Sequence, residues 1–185
     1  MLDEEDVEMT DAETLECIEK TLKQNGSVSG DTVKRWMCNS SLEVLGAVHE
    51  LVTYSPYWER IDPPLSEADL LPFLLSFYKR CLYEDPKGDW SLSRYEAAAA
   101  IVSRFQALLP NKKPERQALL VKLKDLLVQC YLSDNPELQT AIVTGALEHI
   151  LEEPRFRSFF TDWTKHPLLR RAYDLAMEWA IYHER

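Results

Sequence analysis

The chain has 185 residues, 45% of them apolar and 28% charged, which is enough material for one domain that buries about 70% of its unfolded surface. Its net charge of −10 is concentrated in the first nineteen residues, where nine carboxylates precede the first lysine; the remaining 22 acids nearly balance 21 bases. That balance argues against general nucleic-acid affinity, and the longest uncharged run, the ten residues 138–147, is half of the ~20 that a spanning helix needs. The N-terminus lacks the basic-then-apolar order of a signal peptide, so a cytosolic location is expected.

In chain order, residues 1–9 read as a disordered acidic arm, because Asp3, Glu4, Glu5, Asp6 and Glu8 repel one another with no apolar periodicity among them. From Asp11 onward Leu15, Ile18 and Leu22 recur at helical spacing behind a Thr10 cap, opening an all-helical domain over 10–185. Two readings of the arm stand: a solvated tail, or a device that steers a basic protein partner through Asp3 to Glu8 and Asp11.

Thr10-x-x-Glu13, Ser40-x-x-Glu43, Ser66-x-x-Asp69 and Ser93-x-x-Glu96 all resemble capping boxes. With Pro114 and Pro136 as first helical residues and Pro110 and Pro154 as terminators, they predict helices near 11–25, 31–38, 41–54, 67–84, 93–109, 114–132, 136–153, 155–163 and 167–182. Pro72 is expected to kink the fourth or delay its start. The fold class is therefore all-α, as a multi-helix bundle or, given the echo between "RCLYEDP" and "QCYLSDNP", a short HEAT-like stack.

The 136–153 helix is apolar around most of its circumference and is predicted central, and a stripe of Leu168, Ala172, Leu175 and Trp179 is predicted to pack the last helix. Cys17, Cys38, Cys81 and Cys130 have no C-x-x-C spacing and read as reduced thiols, mostly in the core.

Motifs of chemistry are sparse. "GSVSG" at 26–30 has valine at the centre and no lysine, so it reads as a flexible interhelical turn rather than a nucleophile elbow or phosphate loop. His149 and Glu152 could share a helix face, but zinc needs three protein ligands and no second pair supplies them; no metal or cofactor is expected. Phase with Leu138 and Ile142 predicts a packed His149. An enzyme would draw on Glu148, His149 and Glu152.

The segment 154–171 mixes Arg155, Arg157, Lys165, Arg170 and Arg171 with Phe156, Phe159, Phe160 and Trp163. Its rings either stack on single-stranded nucleic acid or anchor a short helix, and the second is expected. The loop "YSPYWERIDPP" offers Tyr57 and Trp58 as interface residues, or else its rings complete the core. Arg94 is a further partner-binding candidate, or a bonding partner for Asp85 or Asp89.

Over 70–182 the chain resembles small all-helical bacterial proteins of unassigned activity, through Cys81, Trp90, Arg94-Tyr95-Glu96-Ala97, Leu147-Glu148 and Trp163. These are similar to immunity partners of secreted toxins. The resemblance implies binding, not catalysis: a toxin domain occluded by this chain. The alternatives are a helical scaffold or regulator, or an enzyme assembled from distant residues.

Overall fold

The computed structural model describes residues 9–24, 26–54, 56–108 and 114–183, apart from the Glu115 side chain. Asp3 to Glu8 and Pro110 lie outside them. The fold is all-α; the only strands among the described residues are two dipeptides. Its internal contacts fall into two compact units, one built from the chain through Phe77 plus Gly88–Ser91, the other from Tyr78–Lys87 plus the chain from Leu92.

Unit 1 begins with α1 (Asp11–Lys23), whose capping box is formed as the sequence predicts: the Thr10 N–H donates to Glu13 Oε2 at 2.8 Å, and the Glu13 N–H donates to Thr10 Oγ1 at 3.3 Å. Then come β1 (Val28–Ser29), α2 (Gly30–Met37), α3 (Leu42–Thr53), a 3₁₀ turn (Trp58–Arg60), β2 (Ile61–Asp62) and the start of α4 (Glu67–Glu84). The turn at 26–30 is thus more than a flexible link. Val28 and Ser29 pair in parallel with Ile61 and Asp62, and Ser29 caps α2. Gly30 packs so closely there that a Cβ would lie 2.5 Å from the Pro63 carbonyl oxygen. The core gathers Ile18, Leu22, Val33, Val44, Val48, Leu51 and Phe77, with the Phe73 and Phe77 rings stacked at 6.0 Å.

The box expected at Ser40 is not made. Ser41 caps α3, and Glu43 is spent elsewhere: its carboxylate accepts the backbone N–H groups of Asp89 (2.9 Å), Trp90 (3.0 Å) and Ser91 (2.9 Å). Three consecutive amides aimed at one carboxylate form a small anion cradle. Burial raises the Glu43 pKa, but these bonds and the Ser91 side chain outweigh it and hold the group below its ordinary value.

A lowered folded-state pKa gives stability that is present above the unfolded value of about 4.3 and is lost as pH falls through the folded one. Glu43→Gln should therefore flatten the acid limb of stability against pH, leaving less to lose below about pH 4. Urea midpoints measured from pH 7 to pH 3 check this, and parallel wild-type and variant curves would refute it.

α4 starts where its Ser66–Asp69 box puts it, with the Asp69 N–H on Ser66 Oγ at 3.2 Å, and runs on through an exposed Pro72 without delay. It ends at Asp85, whose φ of 47° is left-handed, a conformation that asparagine and aspartate tolerate at helix ends.

In unit 2, α5 (Arg94–Leu108), α6 (Pro114–Tyr131), α7 (Pro136–Ala141), a π-helical segment (Ile142–Leu147) and α8 (Glu148–Leu151) lead to α9 (Pro154–Arg157), a 3₁₀ run (Ser158–Lys165) and α10 (Leu169–His183). The Ser93 box forms, with the Ser93 N–H on Glu96 Oε2 at 2.8 Å. The echo noted above is local: Asp85 closes a helix, whereas Asn135 opens one by accepting the Leu138 N–H at 3.1 Å. The predicted 136–153 helix is core along its length, since Leu138, Ala141, Ile142, Ala146, Leu147, Ile150 and Leu151 are fully buried, but it is not one α-helix.

The π segment has physical consequences. An i→i+5 turn takes up an extra residue, which rotates all that follows by about 100° relative to an unbroken α-helix. His149 is accordingly swung off the apolar face and is exposed, not packed. Small residues allow the segment to approach α5: a Cβ on Gly145 would lie 3.1 Å from the Ala98 methyl.

Phe156 and Phe160 are buried against Phe105, and Trp163 is buried against Phe160, so they are not available to stack on bases, while Arg155, Lys165, Arg170 and Arg171 are exposed. Lys124 ties this cluster to α6, donating to the Phe159 carbonyl at 2.7 Å and pairing with Asp162. The cysteines divide evenly: Cys81 and Cys130 are core, Cys17 and Cys38 exposed. Burial pushes the Cys130 thiol up to about 11, which keeps it protonated and inert.

Candidate protein-interaction site

In unit 1 Tyr54 and the stretch Pro56–Pro64 carry exposed aromatics beside residues that are held in place. Tyr54 ends α3 in an extended conformation, its N–H on Glu50 O at 3.1 Å. Past the 3₁₀ turn, Ile61 drops into the core and pairs with Val28. Between them Arg60 acts as a clamp: its Nη1 donates to Thr21 O (2.9 Å), Leu22 O (3.1 Å) and Gln24 O (2.9 Å). The last carbonyls of a helix in general lack intrahelical donors, and a cation suits the negative end of the helix dipole.

The Arg60 guanidinium also lies 5.0 Å from the centre of the Tyr57 ring, which in turn meets Tyr54 at 5.4 Å. Trp58 remains 51% exposed and Tyr54 57%. Of the two readings of this loop, ring completion of the core does not describe Trp58 or Tyr54; Tyr57 is half-buried. Arg60 was not legible in the sequence, because it acts on carbonyls 36 to 39 residues away along the chain.

Asp11, the first residue of α1, is exposed and accepts from Asn39 Nδ2 at 3.0 Å. Beside it Met9, Glu13, Glu16, Cys17 and Lys20 line a shallow depression. The Thr10 N–H and hydroxyl hold the Glu13 carboxyl below its ordinary value.

Arg94 departs from the surface role proposed for it. It is only 7% exposed, and its Nε donates to Leu82 O at 2.7 Å while Nη1 meets Glu137 Oε2 at 3.1 Å. Its own N–H donates to Asp85 Oδ1 at 2.8 Å, and that bond, with the Lys87 ammonium, lowers the Asp85 pKa. Arg94 thus joins α4, α5 and α7 within unit 2; Tyr95 is the exposed member of the pair.

Glu148, His149 and Glu152 do come together, with two residues that the sequence did not point to. His149 Nδ1 lies 3.4 Å from Glu152 Oε1, the same oxygen that accepts from Trp179 Nε1 at 3.1 Å, and the His183 ring packs on Trp179 with centroids 3.8 Å apart and planes tilted by 33°. Burial raises the Glu148 pKa, with the nearby imidazoles pulling it down and Glu152 pushing it up. Among the described residues no group of three or more His, Cys, Asp or Glu could hold a metal ion, and no helix is long and apolar enough to cross a membrane.

No family model matches the chain, and no curated protein or solved structure matches it either.

Proposed function

We propose that this chain is a protein-binding protein, with the Tyr54–Arg60 loop as its contact surface and a basic protein as its partner. The observation that carries this reading is the exposure of Trp58 and Tyr54 on a loop pinned by Arg60. Tryptophan and tyrosine are favoured anchors, and a contact residue whose neighbours are already held by Arg60 forfeits less entropy on binding. The acidic run Asp3 to Glu8, followed by Asp11, supplies the charge that would steer a basic partner. An immunity-type inhibitor occluding a bacterial toxin is the form of this function that the resemblance over 70–182 favours.

The test compares tagged wild-type chain with Trp58→Ala and with a chain lacking Met1–Glu8. The expected result is a single basic protein retained by the wild type and lost by Trp58→Ala. Truncation should slow its association at low ionic strength and much less at high, where the Debye length shrinks to about 3 Å near 1 M salt. Identical captures by wild type and Trp58→Ala would refute the assignment.

A further inference from the structure

α10 has two apolar faces, and unit 2 uses only one. Leu169, Ala172, Ala176 and Ala180 are buried. On another face lie Leu175 and Tyr182, in seven-residue register with Leu168 in the turn immediately before the helix, and the three are 46%, 74% and 62% exposed. This corrects the predicted stripe, of which only Ala172 is core.

Seven-residue spacing of large apolar side chains is the pattern of a helix that meets another helix. Arg171 and Glu178 lie along one edge of the stripe, three residues after Leu168 and three after Leu175. Both are exposed and neither makes an ion pair among the described residues, although their neighbours Arg170 and Asp174 pair with each other at 3.4 Å.

We propose that this face binds a second copy of the chain, α10 against α10, antiparallel about Leu175. The charges select this occupant. A two-fold axis beside Leu175 sets Leu175 against Leu175 and Leu168 against Tyr182. It also sets Arg171 of each copy against Glu178 of the other, because both charges lie on the same edge and nearly symmetrically about the centre. The contact is isologous: one patch, self-complementary in shape and sign. A parallel pair would put the Arg171–Glu178 edges of the two copies on opposite sides of the seam, where neither charge meets its opposite.

Sedimentation velocity of the full chain over a concentration series reads the result. Wild type should show a monomer–dimer equilibrium. Leu175→Asp should raise the dissociation constant about tenfold or more, with the circular dichroism spectrum unchanged because the side chain is half in water. Arg171→Glu and Glu178→Arg alone should each weaken the dimer about tenfold by opposing like charges, and the double variant Arg171→Glu/Glu178→Arg should restore it. A chain that stays monomeric at every concentration overturns the proposal. So does a dimer indifferent to Leu175→Asp, or a double swap that fails to rescue.

Discussion

Replacing Gly46 with alanine should destabilise unit 1 by about 2–3 kcal/mol, in spite of alanine's better helix propensity. Gly46 sits inside α3, where alanine would ordinarily gain about 1 kcal/mol over glycine. Here a Cβ would lie 2.5 Å from the Trp90 carbonyl carbon, 2.9 Å from the Ser91 nitrogen, and closer still to the Trp90 oxygen. These are backbone atoms and cannot rotate away as a side chain would. They are also fixed in place, since the Glu43 carboxylate on the same helix holds the amides of Asp89, Trp90 and Ser91.

Steric overlap therefore outweighs propensity. The two sites should couple: in a Glu43→Gln background the loop is freer to retreat, and Gly46→Ala should cost less than it does alone. Chemical denaturation of the four members of the cycle measures both terms. A Gly46→Ala chain as stable as wild type would contradict the packing described for this loop.

Arg94→Leu should cost unit 2 about 2–3 kcal/mol, since removing a buried charged donor leaves its buried carbonyl acceptor unsatisfied. The Leu82 carbonyl at the end of α4 would lose its 2.7 Å donor, and Glu137 and Asp85 would lose a cation. Arg94→Lys should recover only a fraction, because an ammonium cannot reach several acceptors with the fixed fork of a guanidinium. Arg170→Leu makes the control: its pair with Asp174 is well exposed on both sides, and such pairs contribute about 0–1 kcal/mol. Equal losses at Arg94 and Arg170 in thermal or urea unfolding would show that Arg94 is not the tie the geometry makes it.

Much of the helical skeleton was legible because it is encoded locally. The boxes at Thr10, Ser66 and Ser93 each act over three residues, and each begins a helix within a residue of where the pattern placed it. The box at Ser40 failed because Glu43 finds stronger partners 46 to 48 residues away, which no local window contains.

The last two helical stretches show other limits. Nothing in "IVTGAL" announces a π segment, yet it rotates His149 out of the position that an unbroken helix would give it. In α10 the large residues suggested a core stripe, whereas the buried face is mostly alanine, which permits close packing and leaves Leu168, Leu175 and Tyr182 outside. At the candidate site, the sequence identified the aromatic residues of the loop but left open whether they face water. Exposure there follows from Arg60, Ile61 and the Val28–Ile61 pairing, all of which depend on distant chain.

The binding role of this loop is tested most directly by titrating the captured partner into wild-type chain and into Trp58→Ala, after circular dichroism has shown the two equally folded. Loss of an anchor residue should weaken binding by about 2 kcal/mol, roughly thirtyfold in the dissociation constant. Equal affinities would contradict the assignment of the Tyr54–Arg60 loop as the contact surface.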